Sequence, residues 1–386
     1  MKRILIALIV IASIILVVLA TLIALPKVLP AFQQPHQSGT ANSATFAPSN
    51  LPYVQGTQLI DTSGHPFLLH GAQIQSPFNF ISGWDSGKSP TTLLNSRTFY
   101  VMAHDWKMNA LRLPISNWIY AKDTAVYTRQ LDQVVQQANA AGLFVVLDLH
   151  DDGKSGSPYG VEANLPKAED IPFWKAVAGH FKNSTMVMFD VYNEPKSPNW
   201  QVWLHGGEKV DGATVVGFQD LVDAIRSAGA KQIIVVEPGS AGGGPAEAGG
   251  WSTIGDHTIK DPNIVYSLHV YRDISLSPNQ QDAKWGPILG HYPIYYGEWA
   301  FLPNSLVRVQ CRGVSHDQAD GVVNNFLSYM ESRHASWTAW SFTSHYLIQD
   351  WSTYAPTTLD VPWNCGDPSV DAGMGTLVKQ YLTSHS

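Results

Sequence analysis

Short apolar runs alternate with longer amphipathic segments between about residues 67 and 341 of the chain. The apolar runs have the length and character of strands that are buried on both faces. In the segment 128–141, Leu131, Val134 and Ala138 recur at the three- and four-residue spacing of a helix. Such alternation predicts a parallel sheet, and eight strands can close into a barrel. The predicted strands are 67–73, 110–113, 143–149, 186–192, 232–236, 264–268, 293–296 and 337–341.

We therefore expect an α/β fold, a (β/α)8 TIM barrel that begins with a short hairpin. The runs 58–61 and 66–69 flank a turn signal that contains Gly64. Hairpins of this kind often plug the bottom of a barrel. The interval between the fifth and sixth predicted strands lacks a convincing long helix, and it is the weakest link in the pattern.

The N-terminus differs in composition from the rest of the chain. Lys2 and Arg3 precede an apolar run, 4–25, that only one serine and one threonine interrupt. Its length matches a bilayer span and exceeds the core of an ordinary signal peptide. Positive charge before the run favours export of the chain that comes after it. We expect residues 1–25 to be a transmembrane signal anchor, with a cleaved signal peptide as the alternative, and an extracellular or cell-surface location.

Residues 26–50 are dominated by Pro, Gln, Ser, Ala and Thr with hardly any charge, which predicts a flexible linker. The globular domain is then expected over residues 51–386. Hydrophobic residues make up 45% of the chain, enough for a substantial core. The net charge is −7 and no basic stripe is present, which argues against nucleic acid as a partner.

Functional residues of a (β/α)8 barrel lie at the C-terminal ends of its strands. A lone histidine or glutamate there is usually structural or simply solvated, but seven successive strand ends carry polar or aromatic groups. Paired carboxylates in such a position suit cleavage of a glycosidic bond, where one is an acid and the other a nucleophile or base. In chain order these residues are Arg112, His150, Asn193 with Glu194, Glu237, His269 with Tyr271, Glu298 and Trp340.

Six motifs in order over about residues 56–345 resemble glycoside hydrolase family 5, the cellulase family of clan A. The resemblance implies a (β/α)8 barrel and a retaining mechanism, with Glu194 as acid/base and Glu298 as nucleophile. One departure is Gln73, near which many members carry asparagine, and it puts in doubt only a peripheral sugar contact. The motifs are Asn-Ala-Leu-Arg-Leu-Pro at 109–114, Leu-Asp-Leu-His at 147–150, Tyr-Asn-Glu-Pro at 192–195, Leu-His-Val-Tyr at 268–271, Gly-Glu-Trp at 297–299 and Ala-Trp-Ser-Phe at 339–342.

Physical reasoning supports the same division of roles. Two carboxyl groups in one pocket repel each other, so one holds a proton more readily than the other. A fixed charge on Arg112 beside Glu298 is expected to keep Glu298 ionised. Glu194 lacks that partner and can hold the proton that the leaving oxygen needs. Pro195 is expected to restrict the backbone of Glu194 toward extended geometry.

The remaining strand-end residues are expected to bind and orient substrate. Asn193 should contact the 2-hydroxyl at the cleavage point, where the bond strengthens as charge grows on the ring. Trp340 offers an apolar floor for the same sugar. His150 and His269 are expected to orient sugar and carboxylates, with a purely structural role as the alternative, and Tyr271 is expected to bond to Glu298.

Other residues at this end carry weaker signals. Glu237 precedes a proline as Glu194 does, but it lacks the preceding asparagine, so we interpret it as a rim residue. Cys311 and Cys365 follow the seventh and eighth strands and can form a disulfide in an oxidising space, with two free thiols as the alternative. Several tryptophans in predicted loops or strand ends are expected either to line a sugar groove or to pack: Trp84, Trp118, Trp200, Trp203, Trp251, Trp285, Trp299, Trp351 and Trp363.

The sequence thus favours an endo-acting β-1,4-glucanase that hydrolyses a polysaccharide or oligosaccharide without metal or cofactor. A β-mannanase or another β-glycan or glycolipid hydrolase of the same family is the first alternative. A non-catalytic glycan-binding barrel would be expected to lose Glu194 or Glu298, yet the chain has both. An unrelated barrel chemistry would not need Arg112, the Asn193-Glu194 pair and Tyr271 together.

Overall fold

The computed structural model describes residues 50–74, 94–151, 165–210, 213–238, 250–303, 311 and 313–385. The predicted N-terminal segment 1–25 lies outside this part, as does the predicted linker apart from its last residue. Within the described part, no helix combines the length and apolar character that a bilayer crossing requires.

Thirteen strands and nine α-helices are described, together with a π-helical turn at Val101–Asp105 and a 3-10 turn at Gly286–Ile288. The strands are β1 (Tyr53–Gln55), β2 (Gln58–Ile60), β3 (Pro66–Phe67), β4 (His70–Gln73), β5 (Ala110–Ser116), β6 (Phe144–Asp151), β7 (Val187–Asp190), β8 (Gly206–Val210), β9 (Ala213–Val216), β10 (Ile234–Val236), β11 (Ile264–Val270), β12 (Ile294–Trp299) and β13 (Ser336–Ala339). The helices are α1 (Ser96–Tyr100), α2 (Asn117–Lys122), α3 (Thr124–Ala140), α4 (Asp170–Phe181), α5 (Trp200–His205), α6 (Phe218–Ser227), α7 (Pro278–Trp285), α8 (His316–Ser332) and α9 (Gly375–Ser384).

Eight of these strands close into a barrel in the order β4, β5, β6, β7, β10, β11, β12, β13 and back to β4. Every neighbouring pair is parallel. The predicted barrel is therefore confirmed, with its strands in the predicted chain order. The apolar stripe of α3 is buried as its spacing predicts.

The first predicted strand, 67–73, is wrong as a single element. Its first residue, Phe67, belongs to β3, which pairs with β2 in an antiparallel sheet that also contains β1. The chain then passes into the barrel and forms β4, which pairs with β5 and β13. Between β10 and β11, the described residues 250–263 contain no helix, in agreement with the weak pattern there.

Every second residue of a barrel strand points inward, so side chains enter the interior in layers. The layer at the N-terminal ends of the strands is apolar, and Leu59 of the hairpin packs against it. The hairpin therefore closes this end of the barrel. Its buried residues are Leu59, Leu69, Ala110, Val146, Met188, Ile233, Val235, Val265 and Tyr295.

Candidate active site

Two residues further along the strands, the barrel interior changes from apolar to charged. Two residues beyond Ala110 on β5 comes Arg112, which is fully buried. The same step takes Val146 to Asp148 on β6, and Met188 to Asp190 on β7. Both aspartates are fully buried. The period of two thus brings one cation and two carboxylates to a common level above the apolar layer.

Arg112 divides its donors among several partners. Its Nε donates to Oδ2 of Asp190 at 2.9 Å, and its Nη2 lies 3.0 Å from Oδ1 of Asp148. Nη1 donates to Oε1 of Glu298 at 2.7 Å. Burial alone would lower the pKa of Arg112, but the surrounding carboxylates raise it well above its usual value. The guanidinium is therefore a permanent charge directly beside Glu298.

Glu298 reaches the interior because β12 carries a bulge. Leu268 pairs with Tyr296 and His269 with Glu298, so Gly297 is an extra residue in the ladder. A Cβ at Gly297 would lie 2.7 Å from Oγ of Ser267, which leaves room for glycine alone. The Gly-Glu pair of the sequence motif is therefore a bulge that points Glu298 into the barrel.

Glu194 follows β7 and has an unusual backbone. Its φ of 46° lies in the left-handed region, which residues with a side chain rarely adopt. The expectation of extended geometry before Pro195 is therefore wrong. The N–H of Asn193 still donates to the carbonyl of Leu149 at 2.9 Å, so the chain must turn sharply at Glu194 immediately after its last bond to β6.

The two glutamates share one pocket with His269. One carboxylate oxygen from each of Glu194 and Glu298 and one nitrogen of His269 all lie within 4.8 Å of one another. The glutamate side chains are unequally open, since Glu194 is 28% exposed and Glu298 is 4% exposed. In the described part of the chain, this trio alone brings three potential metal ligands so close together.

Tyr271 and Arg112 hold Glu298 from two sides. The hydroxyl of Tyr271 donates to Oε2 at 2.5 Å, while Arg112 occupies Oε1. Burial, followed by the charges of Glu298 and Glu194, raises the pKa of Tyr271 well above 10. Tyr271 therefore stays protonated and remains a donor.

His150 belongs to β6, two residues after Asp148, and its side chain lies beside Glu298. Its Nδ1 donates to Oδ2 of Asp148 at 2.7 Å and lies 3.9 Å from Oε1 of Glu298. Burial would lower the pKa of His150, but the charge and hydrogen bond of Asp148 outweigh it and raise the pKa. The ring of Trp340, which is partly buried, lies nearly parallel to that of His150 at 6.2 Å between centroids.

Gln73 and Asn193 complete the ring of groups around Arg112. Gln73 is fully buried, and its Oε1 accepts from Nη1 of Arg112. Asn193 is 8% exposed and accepts from Nη2 at 3.1 Å. The departure at Gln73 therefore affects the support of Arg112 and not a peripheral sugar contact.

Glu237 does not lie at the rim, so that interpretation is wrong. It continues the inward row of Ile233 and Val235 on β10 and is 1% exposed. Its Oε2 lies 2.8 Å from Nε2 of His269. The alternation of β10 was the signal that could have found it, because a residue two positions after Val235 must face the interior. The same alternation also identifies Asp148 and Asp190, which the strand-end pattern alone did not predict.

Most of the tryptophans considered as sugar contacts are packed inside. Trp203, Trp251, Trp285 and Trp299 are fully buried, and Trp200 is 7% exposed. Trp84 lies outside the described residues. The partly buried members of the described set are Trp118, Trp351 and Trp363.

Cys311 and Cys365 form a disulfide with a Cα–Cα distance of 5.6 Å. Cys311 lies after β12 and Cys365 after β13, so the bond links two segments that follow neighbouring strands at the catalytic end.

This arrangement belongs to a known family. The family model described as Cellulase (glycosyl hydrolase family 5) matches residues 60–346. The chain belongs to glycosyl hydrolase family 5. The resemblance carried by the six motifs is thereby confirmed.

Two curated relatives are about a quarter identical to this chain over the aligned residues. Endoglucanase E-5 of Thermobifida fusca is 23% identical over 301 residues, which cover 76% of this chain and 56% of that enzyme. The chain thus spans little more than half the length of that relative. The probable endo-beta-1,4-glucanase B of Aspergillus oryzae is 27% identical over 303 residues, 77% of each chain.

Solved family 5 structures share the fold. The β-glucanase SdGluc5_26A from Saccharophagus degradans superposes with a TM-score of 0.63 at 21% sequence identity, covering 87% of this chain and 93% of that one. At this identity the likeness concerns the fold alone.

Proposed function

We propose that this chain is a retaining endo-β-1,4-glucanase in which Glu298 is the nucleophile and Glu194 the acid/base. The observation that carries the proposal is the approach of both carboxylates to within 4.8 Å of His269 and of each other. Retaining glycosidases hold their carboxyls about 5–5.5 Å apart, whereas inverting enzymes leave room for a water between them. The unequal surroundings of the two glutamates support the division of roles.

In the first step Glu298 attacks the anomeric carbon as the glycosidic bond breaks. Arg112 favours the ionised carboxylate, and Tyr271 donates to its second oxygen. Glu194 gives its proton to the leaving oxygen, which departs as a hydroxyl of the shortened chain. The product of this step is a glycosyl ester on Glu298.

In the second step Glu194, now ionised, takes a proton from water. The resulting nucleophile attacks the anomeric carbon from the opposite side and releases Glu298 as a carboxylate. Two inversions give net retention. The greater exposure of Glu194 suits this step, because water must reach it.

The surrounding residues bind and orient the sugar. We assign Asn193 to the 2-hydroxyl, where a contact strengthens in the transition state. Trp340 supplies an apolar face for a sugar ring, and His150 lies between that face and Glu298. We assign Glu194 and Glu298 of this trio to acid/base and nucleophilic work and His269 to orienting them, and the proposed mechanism uses no metal and no cofactor.

Relatives support a β-1,4-linked glucan as substrate. The Thermobifida relative is named an endoglucanase, the Aspergillus relative is named a probable endo-beta-1,4-glucanase, and the Saccharophagus β-glucanase has been crystallised with cellotetraose. Mannan, xyloglucan and β-1,3-glucan are the competing substrates within this reaction class.

A substrate panel tests the proposal. Purified protein is incubated with carboxymethyl cellulose, barley β-glucan, mannan, xylan, xyloglucan and laminarin, and viscosity and reducing ends are followed together. We expect a steep early fall in viscosity on β-1,4-glucans, which indicates internal cleavage. Glu298→Gln serves as the inactive control. Preference for mannan would reassign the substrate, and inactivity on every glycan would contradict the function.

We further propose that residues 1–25 anchor the protein in a membrane and that a linker, 26–50, holds the domain 51–386 outside the cell. The apolar run behind two positive charges supports export, and the disulfide supports an oxidising compartment. Fractionation of cells that express the whole chain, with intact-mass measurement, tests this. Full-length protein in the membrane fraction is expected; soluble protein in the cytoplasm would contradict it.

A further inference from the structure

Glu237 is a buried carboxylate, and the proposed reaction assigns it no role. It directly follows β10, is 1% exposed, and holds Oε2 at 2.8 Å from Nε2 of His269. Its Oε1 has no hydrogen-bond partner within the described part of the chain. The indole N–H of Trp203 donates to the carbonyl of Glu237 at 2.9 Å and fixes its backbone. A carboxylate buried in this way is costly unless an adjacent cation compensates it.

His269 has a carboxylate at each of its two ring nitrogens. Nδ1 lies 2.9 Å from Oε1 of Glu194 and 3.6 Å from Oε2 of Glu298, while Nε2 faces Glu237. The His269 side chain is fully buried. A neutral imidazole carries one N–H, so it can serve one side only; the imidazolium carries an N–H on both.

We propose that Glu237 is a positioning residue that keeps His269 as an imidazolium, so that Nδ1–H stays directed at the acid/base Glu194. This inference rests on the function proposed above. Glu194 gains and loses a proton in each turnover, whereas the Glu237–His269 pair keeps its charges. The fixed positive charge between Glu194 and Glu298 also reduces the repulsion between them.

The charges around His269 support the protonated form. Burial alone would lower its pKa, but the charges of Glu237 and then Glu298, with the hydrogen bond of Glu194, raise the pKa well above its usual value. Burial raises the pKa of Glu237, and the charge of His269 opposes that rise. Glu237 and His269 therefore stabilise each other's ionised forms.

Other charged groups near the pair belong to the set around Arg112. Arg112 acts on Glu237 and favours its ionised form, and the charge of His269 in turn acts on Asp190 of β7. Tyr271, which directly follows the strand of His269, stays protonated and adds no charge.

The charge-specific test is Glu237→Gln, which keeps size and hydrogen-bonding capacity but removes the charge. A glutamine at position 237 carries no charge that holds the second proton on the ring, so a neutral ring can keep its single proton on Nε2 and leave Nδ1 without an N–H for Glu194. Without the Glu237 carboxylate, His269 should lose its proton at lower pH. We expect the alkaline limb of the kcat profile to move down by about 1–3 pH units.

Two further variants separate charge from packing. Glu237→Asp keeps the charge and should restore most of the alkaline limb. Glu331→Gln is the matched control, because Glu331 accepts from the hydroxyl of Tyr381 and lines a cavity with the hairpin at the other end of the barrel. It should leave the pH profile unchanged.

The titration of His269 gives a readout that needs no substrate. Histidine-labelled protein is followed by NMR against pH, and the His269 signal is assigned by its loss in His269→Asn. In the unsubstituted protein His269 should remain protonated well above pH 6.5, and in Glu237→Gln it should titrate lower. Ordinary titration of His269 in the unsubstituted protein would overturn the inference even if Glu237→Gln fails to fold. An unchanged pH profile in a folded Glu237→Gln would also overturn it. Inactivity of the unsubstituted protein on all glycans would instead overturn the proposed function.

Discussion

The same strands build both ends of the barrel, but the interior side chains are apolar at one end and charged at the other. At the N-terminal ends the interior is apolar, and Leu59 of the hairpin packs against Val146 and its neighbours. At the C-terminal ends, Arg112 lies among buried carboxylates and the two glutamates face each other. One step of two residues, as from Val146 to Asp148, separates these environments.

This contrast implies a division of labour. Apolar burial contributes stability in proportion to area, about 25 cal/mol per Å². A buried ion pair contributes little net stability because desolvation offsets attraction, but removal of one partner is costly. The closed end is therefore expected to hold the fold together, and the charged end to carry the chemistry. Four variants test that division, in order of expected effect.

Glu298→Gln should lower kcat by at least about 10⁴-fold, as loss of a covalent nucleophile does elsewhere. The amide cannot attack the anomeric carbon, while binding of polysaccharide should persist. Initial rates and affinity electrophoresis measure the two properties. Residual turnover near that of the unsubstituted protein would show that another residue is the nucleophile.

Glu194→Ala should lower kcat on polysaccharide by about 10²–10⁴-fold, the usual contribution of a general acid and base. Substrates with very good leaving groups should suffer less in the first step, because they need no proton. Azide should then restore turnover by attacking the glycosyl ester in place of activated water. If neither leaving group nor azide makes a difference, the acid lies elsewhere.

Leu59→Ala should lower the free energy of unfolding by about 2–5 kcal/mol through lost burial and a residual cavity. It should leave kcat unchanged at temperatures where the variant is folded, because Leu59 lies at the closed end. Denaturant titration together with initial rates tests both halves of this prediction. A large fall in kcat in the folded variant would contradict the division between the ends.

Cys311→Ser with Cys365→Ser should lower the free energy of unfolding by about 2–4 kcal/mol, since the bond closes a loop of 54 residues in sequence. The bond lies at the catalytic end, so this pair of substitutions asks how much stability that end contributes. Thermal unfolding with and without reductant measures it. No difference in unfolding between oxidised and reduced protein would contradict a contribution of this bond to stability.

The barrel could be predicted from the sequence because its strands are recognisable locally. Runs such as 143–149 are apolar on both faces, and no distant partner is needed to recognise them. The division between β3 and β4 was not predictable in this way, because the same apolar run serves two different sheets. Which sheet a residue joins depends on partners remote in the chain.

The sequence predicted the site residues at the C-terminal ends of the strands better than those deeper inside the barrel. Arg112 and the two glutamates follow from motifs and position. Glu237 was misplaced at the rim because it was interpreted by comparison with the Asn-Glu-Pro motif, whereas the alternation through Ile233 and Val235 places it inside. The backbone of Glu194 also escaped prediction. The chain turns sharply after the N–H of Asn193 bonds to β6, and this turn overrides the preference imposed by Pro195.

The stereochemistry of the first product tests the central claim most directly. Hydrolysis of a cellooligosaccharide is followed by proton NMR within the first minutes, before mutarotation mixes the anomers. Two carboxylates this close predict that the β-anomer appears first, because two successive inversions retain configuration. Initial release of the α-anomer would mean that water attacks directly, and Glu298 would then not be the nucleophile.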